Sequence, residues 1–292
     1  MLPIPYENHF IETNGVRLHV VTAGPTDGKP IVLLHGFPEF WYGWRRQIPA
    51  LAQAGFRLIV PDQRGYNLSA VPKDVKAYAL PKLGKDIIGL LDYFGIEKVD
   101  LVGHDWGAVV AWGVALTFPG RVRRLGILNV PHPVVMLRFL SHSPRQMLKS
   151  WYVGFFQIPG LADWLIKQNN FAAGEQSFHA TSRPGTFSDE EIAHYKQAWS
   201  NAGGLTGMIN WYRALVRYRP PNPADIRLHM PVLIQWGKQD AFLVHEMAEE
   251  SVKLCNDGKL IFYDQATHWV QHEAAEQVNL ALVDFCNRVI LT

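Results

Sequence analysis

The sequence predicts an α/β protein: a mainly parallel, doubly wound sheet with a helical cap inserted late in the chain. Three observations lead there. Short apolar runs alternate with amphipathic stretches of helix length, the rhythm of strand–crossover–strand units. Several runs, such as Ile31 to Leu34, are continuously apolar, as strands buried on both faces are. The alternation then stops between Pro131 and Arg227, where helical patterns, aromatics and Pro breaks contain no strand-like run. The expected organisation is therefore a core of residues 1–130 and 228–292 and a cap of residues 131–227.

Each element has its own signal. Phe10 to Thr22 alternates apolar and polar residues around Asn14-Gly15, a hairpin pattern. After the Ile31–Leu34 strand, Trp44 to Ala54 has helical spacing, with Gly55 as a C-cap. Phe56 to Val60 is the next strand, closed by Pro61-Asp62. Lys82 to Phe94 is an amphipathic helix stopped by Gly95. Val99 to Val102 and Leu125 to Asn129 are strands, separated by a helix-like run from Val109 to Leu116. Past the cap, Arg219-Pro220-Pro221-Asn222-Pro223 looks like the return linker. Pro231 to Trp236 and Leu260 to Tyr263 are strands, and Glu273 to Val289 is a final helix.

Composition narrows the class. The 292 residues suit one large domain with an insertion. With 48% hydrophobic and 18% charged residues a large core is expected, and disorder is not. The net charge of +2 gives no argument for nucleic acid or an anionic membrane. Apolar runs end before about 18 residues, so no membrane span is expected. No signal peptide is evident, and Cys255 and Cys286 make no disulfide framework; a reducing, cytoplasmic setting is expected.

The chemistry centres on Gly103-His104-Asp105-Trp106-Gly107, between a strand and a helix. A sharp strand-to-helix turn needs small residues two positions either side of the reactive side chain, because a Cβ there would crowd backbone. The usual nucleophile in such a turn is Ser. A carboxylate at Asp105 has different consequences. Attack by Ser on saturated carbon gives an ether, which water does not readily cleave. Attack by Asp gives an ester, which water can hydrolyse to restore the carboxylate. Asp105 therefore points to epoxide opening or carbon–halogen cleavage.

Ester hydrolysis needs a base. His268, in Thr267-His268-Trp269 after the last strand, has the right chain order. As a general base it is expected to have a pKa below the working pH. His268 and His272 have the i,i+4 spacing of a zinc pair, but no Glu directly follows His268, so no metal is expected. Asp240, in the loop after the strand ending at Trp236, is the candidate to orient His268. The oxyanion of hydrolysis needs two donors: the amides of Trp106 and of Phe37, in His35-Gly36-Phe37-Pro38, are the candidates. The sequence leaves the Phe37-Pro38 isomer open.

Together these residues resemble the α/β-hydrolase superfamily and, within it, the epoxide hydrolases. The resemblance covers nearly the whole chain and includes His35-Gly36-Phe37-Pro38, Asp62-Gln63-Arg64-Gly65-Tyr66, Asp105, Asp240 and His268-Trp269. It implies two cap tyrosines that hold the epoxide oxygen. Tyr152, in Trp151-Tyr152-Val153-Gly154-Phe155-Phe156, and Tyr212, in Asn210-Trp211-Tyr212-Arg213, match the two segments. A phenol can protonate the departing alkoxide at neutral pH. His35, Pro38, Trp106 and Trp269 are expected to line the substrate pocket. The expected ligands are a small apolar epoxide and water, with no cofactor.

Two other readings compete. A haloalkane dehalogenase would use the same Asp–His chemistry, but one large group places an Asn after His-Gly where this chain has Phe37. Fluoroacetate dehalogenases place an Arg after the nucleophile, where this chain has Trp106. A non-catalytic ligand-binding member would not need the full set of nucleophile, base, acid and tyrosines.

Overall fold

The computed structural model describes residues 2–201, 203–220 and 223–289. Eight strands form one sheet: β1 (Tyr6–Thr13), β2 (Val16–Ala23), β3 (Lys29–Leu34), β4 (Phe56–Pro61), β5 (Val99–His104), β6 (Val122–Leu128), β7 (Leu228–Gly237) and β8 (Cys255–Tyr263). Their order is β1-β2-β4-β3-β5-β6-β7-β8. β1 and β2 are the expected hairpin, turning at Asn14 and Gly15, both with positive φ. β2 meets β4 antiparallel, and every later pairing is parallel.

Alternate residues of each central strand face opposite layers, as the pleat dictates. Ile31 and Leu33 of β3 pack with α1 (Ile48–Gln53) and α12 (Ala275–Asn287). Val32 and Leu34 pack on the other face with α2 (Leu80–Tyr93) and α3 (Trp106–Thr117). Both faces are buried, which is why these strands read as unbroken apolar runs. α10 (Glu246–Val252) bridges β7 and β8, and α11 (Val270–Glu273) precedes α12.

Two helices differ from expectation. The stretch from Trp44 to Ala54 is not one helix: a 3₁₀ turn, Trp41–Trp44, precedes α1. Pro49 explains the break, since its ring clashes with the carbonyl four residues back and is tolerated only in a first turn. The final helix is interrupted at Ala274. The carboxylate of Glu273 turns back to accept from the Thr267 amide and hydroxyl, at 2.6 and 2.9 Å.

Between β6 and β7 the chain adds only helices among the described residues: α4 (Pro133–His142), α5 (Pro144–Lys149), α6 (Trp151–Phe155), α7 (Leu161–Thr181), α8 (Asp189–Ser200) and α9 (Gly204–Arg217). α7 is broken near its middle, where Asn169, Asn170 and Phe171 take positive φ. Pro221 and Asn222 of the return linker lie outside the described residues. α8 is fastened to the core. The Tyr195 hydroxyl donates to Glu39 Oε1 at 2.7 Å, Arg45 donates to Glu191 and to Tyr195, and Trp199 Nε1 donates to the Pro38 carbonyl at 2.7 Å. No helix among the described residues is long and apolar enough to cross a membrane.

Candidate active site

The turn between β5 and α3 holds Asp105 at φ 48° and ψ −124°. A Cβ on Gly103 would lie 2.4 Å from the Gly107 carbonyl oxygen, and one on Gly107 would lie 2.0 Å from that of Leu34. Only glycine lets these segments cross so closely, as the sequence pattern implied. The same constraint acts across the site: a Cβ on Gly36 would sit 2.4 Å from Asp105 Cβ and 2.7 Å from its Oδ1. The Phe37 amide, next along that loop, donates to Asp105 Oδ1 at 2.7 Å. The Phe37–Pro38 peptide is cis. The Trp106 amide, at the first position of α3, makes no hydrogen bond to the carboxylate among the described residues.

His268 lies opposite. Its Nδ1–H donates to Asp240 Oδ2 at 2.8 Å, and its Nε2 lies 3.5 Å from Asp105 Oδ2. Asp240 is held from every side. The amides of Phe242 and Leu243 donate to its Oδ1, and Asn129 Nδ2 donates to its Oδ2 at 2.7 Å. Asn129 also accepts from the Gly237 amide and donates to the Thr267 carbonyl, so it ties together the ends of β6, β7 and the His268 loop. Its φ of 53° at full burial shows that the backbone bends to place it.

Electrostatics follow from this geometry. Burial disfavours a charged His268, but the charge of Asp240, the two hydrogen-bonding carboxylates and the charge of Asp105 outweigh it and raise the pKa to about 10. The expectation of a neutral imidazole is thus corrected for the resting site: two carboxylates bracket the ring and hold its proton. Asp105 and Asp240 both lie below the ordinary carboxyl value. Burial opposes this, and His268 together with the surrounding donors prevails.

The helical insertion closes the site with aromatics. Tyr152 of α6 and Tyr212 of α9 have ring centroids 5.9 Å apart. Tyr212 meets Trp106 edge-on at 4.9 Å and Phe37 at 5.3 Å. Phe156 and Phe242 pack against Tyr152. Burial raises both phenols, and the negative charge of Asp105 raises them further, so both keep their protons. The structure thus brings Asp105, His268, Asp240, Phe37, Trp106, Tyr152 and Tyr212 into one neighbourhood.

The other expected pocket residues are placed differently from one another. Pro38 is half-buried and anchors Trp199. Trp269 packs edge-on against His268 at 5.4 Å and bonds Thr181 through Nε1. His35 is fully buried with both ring nitrogens engaged by backbone, Nε2 by the Gln63 amide and Nδ1 by the Gly36 carbonyl. It is a strut between strand ends, with no surface to offer a substrate.

One cluster escaped the sequence reading. Glu39 is 1% exposed, and its carboxylate accepts from His272 Nε2 at 2.8 Å and Gln271 Nε2 at 3.1 Å, with His104 Nδ1 at 3.4 Å. Burial acts against its charge, yet the two histidines hold it well below the usual carboxylate range. His272 is itself pushed down to about 4, chiefly by burial, so its ring is neutral and donates. His104 Nε2 in turn donates to the His268 carbonyl at 2.9 Å. A lone Glu after Pro38 among apolar neighbours was the available signal.

Residues 29–275 match the family described as the alpha/beta hydrolase fold. The Bacillus subtilis AB hydrolase superfamily protein YfhM is 43% identical over 94% of this chain and 96% of its own. Epoxide hydrolase 2 of Caenorhabditis elegans is 37% identical over 96% of this chain and 80% of its own. A crystal structure of the Bacillus megaterium epoxide hydrolase with an inhibitor superposes with a TM-score of 0.88 at 30% identity, covering 96% of this chain and all of that one.

Proposed function

The chain belongs to the α/β-hydrolase family, and we propose that it is an epoxide hydrolase that forms a covalent ester on Asp105 and releases a vicinal diol. Its relatives named as epoxide hydrolases support the activity. The observation that carries the mechanism is the division of labour on one carboxylate: Oδ1 is held by the Phe37 amide, while Oδ2 faces His268.

Residues 131–227 act as a cap, and the epoxide lies between it and the core. Tyr152 and Tyr212 donate to the ring oxygen. Asp105 Oδ2 attacks one ring carbon, the carbon–oxygen bond breaks, and a tyrosine proton moves to the alkoxide. Alkylation removes one of the two charges that kept His268 protonated, so its proton can return to the tyrosinate and leave a neutral imidazole. That imidazole takes a proton from water, and hydroxide adds to the ester carbon. The Phe37 amide, joined by that of Trp106, stabilises the oxyanion. Collapse expels the diol alkoxide, which takes the proton back from His268. The proton left on Asp105 returns to His268 and regenerates the resting pair. This sequence consumes one epoxide and one water and uses no cofactor. Halide release would instead need two N–H donors: the Trp106 indole could supply one, but the position of the usual second donor holds the hydrocarbon ring of Phe37, and two phenols stand at the site.

Single turnover in heavy-oxygen water tests the ester. The label should enter the Asp105 peptide, and the first diol released should carry none. Turnover with label in the diol and none in Asp105 refutes the covalent path.

A further inference from the structure

Two phenols can share one epoxide oxygen only if the distance between them is fixed, and Tyr152 and Tyr212 belong to different helices, α6 and α9. Edge-on packing of their rings, at 5.9 Å, tolerates a range of separations. The backbones are held more tightly. Gln157, just past α6, donates from Nε2 to the Tyr212 carbonyl at 3.0 Å. Arg213, next after Tyr212, donates from Nε to the Phe156 carbonyl at 3.1 Å. The bonds are reciprocal: each tyrosine-bearing segment gives one side-chain donor and one backbone acceptor. Phe156 joins the pair a second way, with its ring 5.9 Å from that of Tyr152 and 4.7 Å from that of Tyr212.

Both donors are themselves fixed. The second N–H of Gln157 reaches the Val153 carbonyl at 3.1 Å. Arg213 donates from Nη2 to Asp163 Oδ2 at 2.7 Å and from Nη1 to Asn210 Oδ1 at 3.1 Å. Asp163, in the first turn of α7, also accepts from the Thr206 hydroxyl. The guanidinium, 8% exposed, thus joins α6, α7 and α9 at one point, and its planar fork sets angles as well as distances. None of these bonds attaches the insertion to the core, which α8 does through Glu39, Arg45 and Pro38. They act between the two segments that carry the phenols.

We propose that Arg213 and Gln157 are positioning residues that set the offset between Tyr152 and Tyr212, and through it which ring carbon meets Asp105. On the epoxide hydrolase reading, on which this rests, the epoxide oxygen is held between two hydroxyls. The ring can then turn only as far as their offset allows, so that offset chooses the carbon facing Asp105 Oδ2. A foreign stretch from α4 to the break in α7 keeps the brace only if it brings counterparts of Gln157 and Asp163.

Rapid-quench single turnover of styrene oxide tests this in Arg213→Lys, which keeps the charge but not the fork, and in Gln157→Leu, which strands no buried charge. Ester formation should slow by about 10- to 10²-fold in each, the cost of a small misplacement. Ester hydrolysis, the work of His268 and Asp240, should keep its rate. Repeated turnover in heavy-oxygen water labels the carbon attacked, and the ratio of label between the two diol carbons should change. General loosening of the fold would slow both steps alike, so equal slowing overturns the proposal, as do unchanged rates with an unchanged label ratio. If Arg213→Lys does not fold, Gln157→Leu decides alone. Diol formed by wild type with no ester on Asp105 refutes the catalytic reading and the role of the brace with it. Wild-type ester with unaffected variants refutes the brace alone.

Discussion

Replacing Asp105 with Asn imitates the charge lost on alkylation and keeps the shape of the side chain. It therefore isolates what one carboxylate does to His268. That imidazole is raised from 6.5 to about 10, with Asp240 and Asp105 both contributing. Unit charges 3.5 Å apart attract by ~5 kcal/mol at an effective dielectric constant of about 20. At ~1.4 kcal/mol per pK unit this is ~3 units. It is an upper bound, because Asp105 keeps 17% of its side-chain surface exposed to screening water. In Asp105→Asn the ring should titrate ~2 to 3 units lower, close to neutrality. Nitrogen chemical shifts of His268 followed across pH would read this directly, with mass spectrometry confirming that the amide is intact. A titration within ~0.5 unit of wild type would refute the bracketing argument. Stability should change in step. A histidine whose folded pKa is raised contributes stability that is complete below 6.5 and lost as pH rises through about 10. Wild type should therefore lose more stability than Asp105→Asn across that window. Asp105 and Asp240 act at the other end, giving stability above 3.8 that falls away as they protonate.

Three further outcomes are expected. Tyr152→Phe with Tyr212→Phe should keep the fold but slow epoxide opening by at least ~10²- to 10⁴-fold, the usual worth of a general acid; undiminished diol formation would remove the tyrosines from the mechanism. Gly36→Ala places a methyl 2.4 Å from Asp105 Cβ, so single-turnover alkylation should fall by about 10²-fold as the nucleophile is displaced, and an unchanged rate would show that the loop yields. Asn129→Ala strips a donor from Asp240 and leaves the buried Gly237 amide unpaired. Chemical denaturation should show a loss of ~1–3 kcal/mol, and ester hydrolysis should slow more than ester formation; equal slowing of both steps would argue against a role through His268.

Legibility in the sequence followed the range of the interactions. The central strands and the turn at Asp105 were readable because burial on both faces and close backbone crossing leave local marks: apolar runs and paired glycines. Asp240 and His268 were readable by chain order. The protonation of His268 was not, since it depends on two carboxylates arriving from distant loops. The Glu39 cluster was hidden for the same reason: its partners sit at positions 104, 195, 271 and 272. The left-handed run of Asn169, Asn170 and Phe171 had only its Asn pair as a signal, and a buried Phe in that region is contrary to its steric preference.

The fastening of α8 to the loop of Phe37 sets terms for rebuilding this scaffold. Exchanging the whole segment between β6 and β7 for a foreign one looks like a simple transplant, because both joints lie at strand ends. Yet Arg45 and Glu39 belong to the recipient, while Glu191 and Tyr195 would leave with the graft. A transplant without equivalents strands the buried guanidinium of Arg45, at ~3–5 kcal/mol for the broken pair, and takes one donor from Glu39, which keeps His272 and Gln271. It also frees Pro38, and with it the loop that presents the Phe37 amide. The natural unit of exchange is thus smaller: the stretch from α4 to the break in α7, leaving α8 and its bolts where they are.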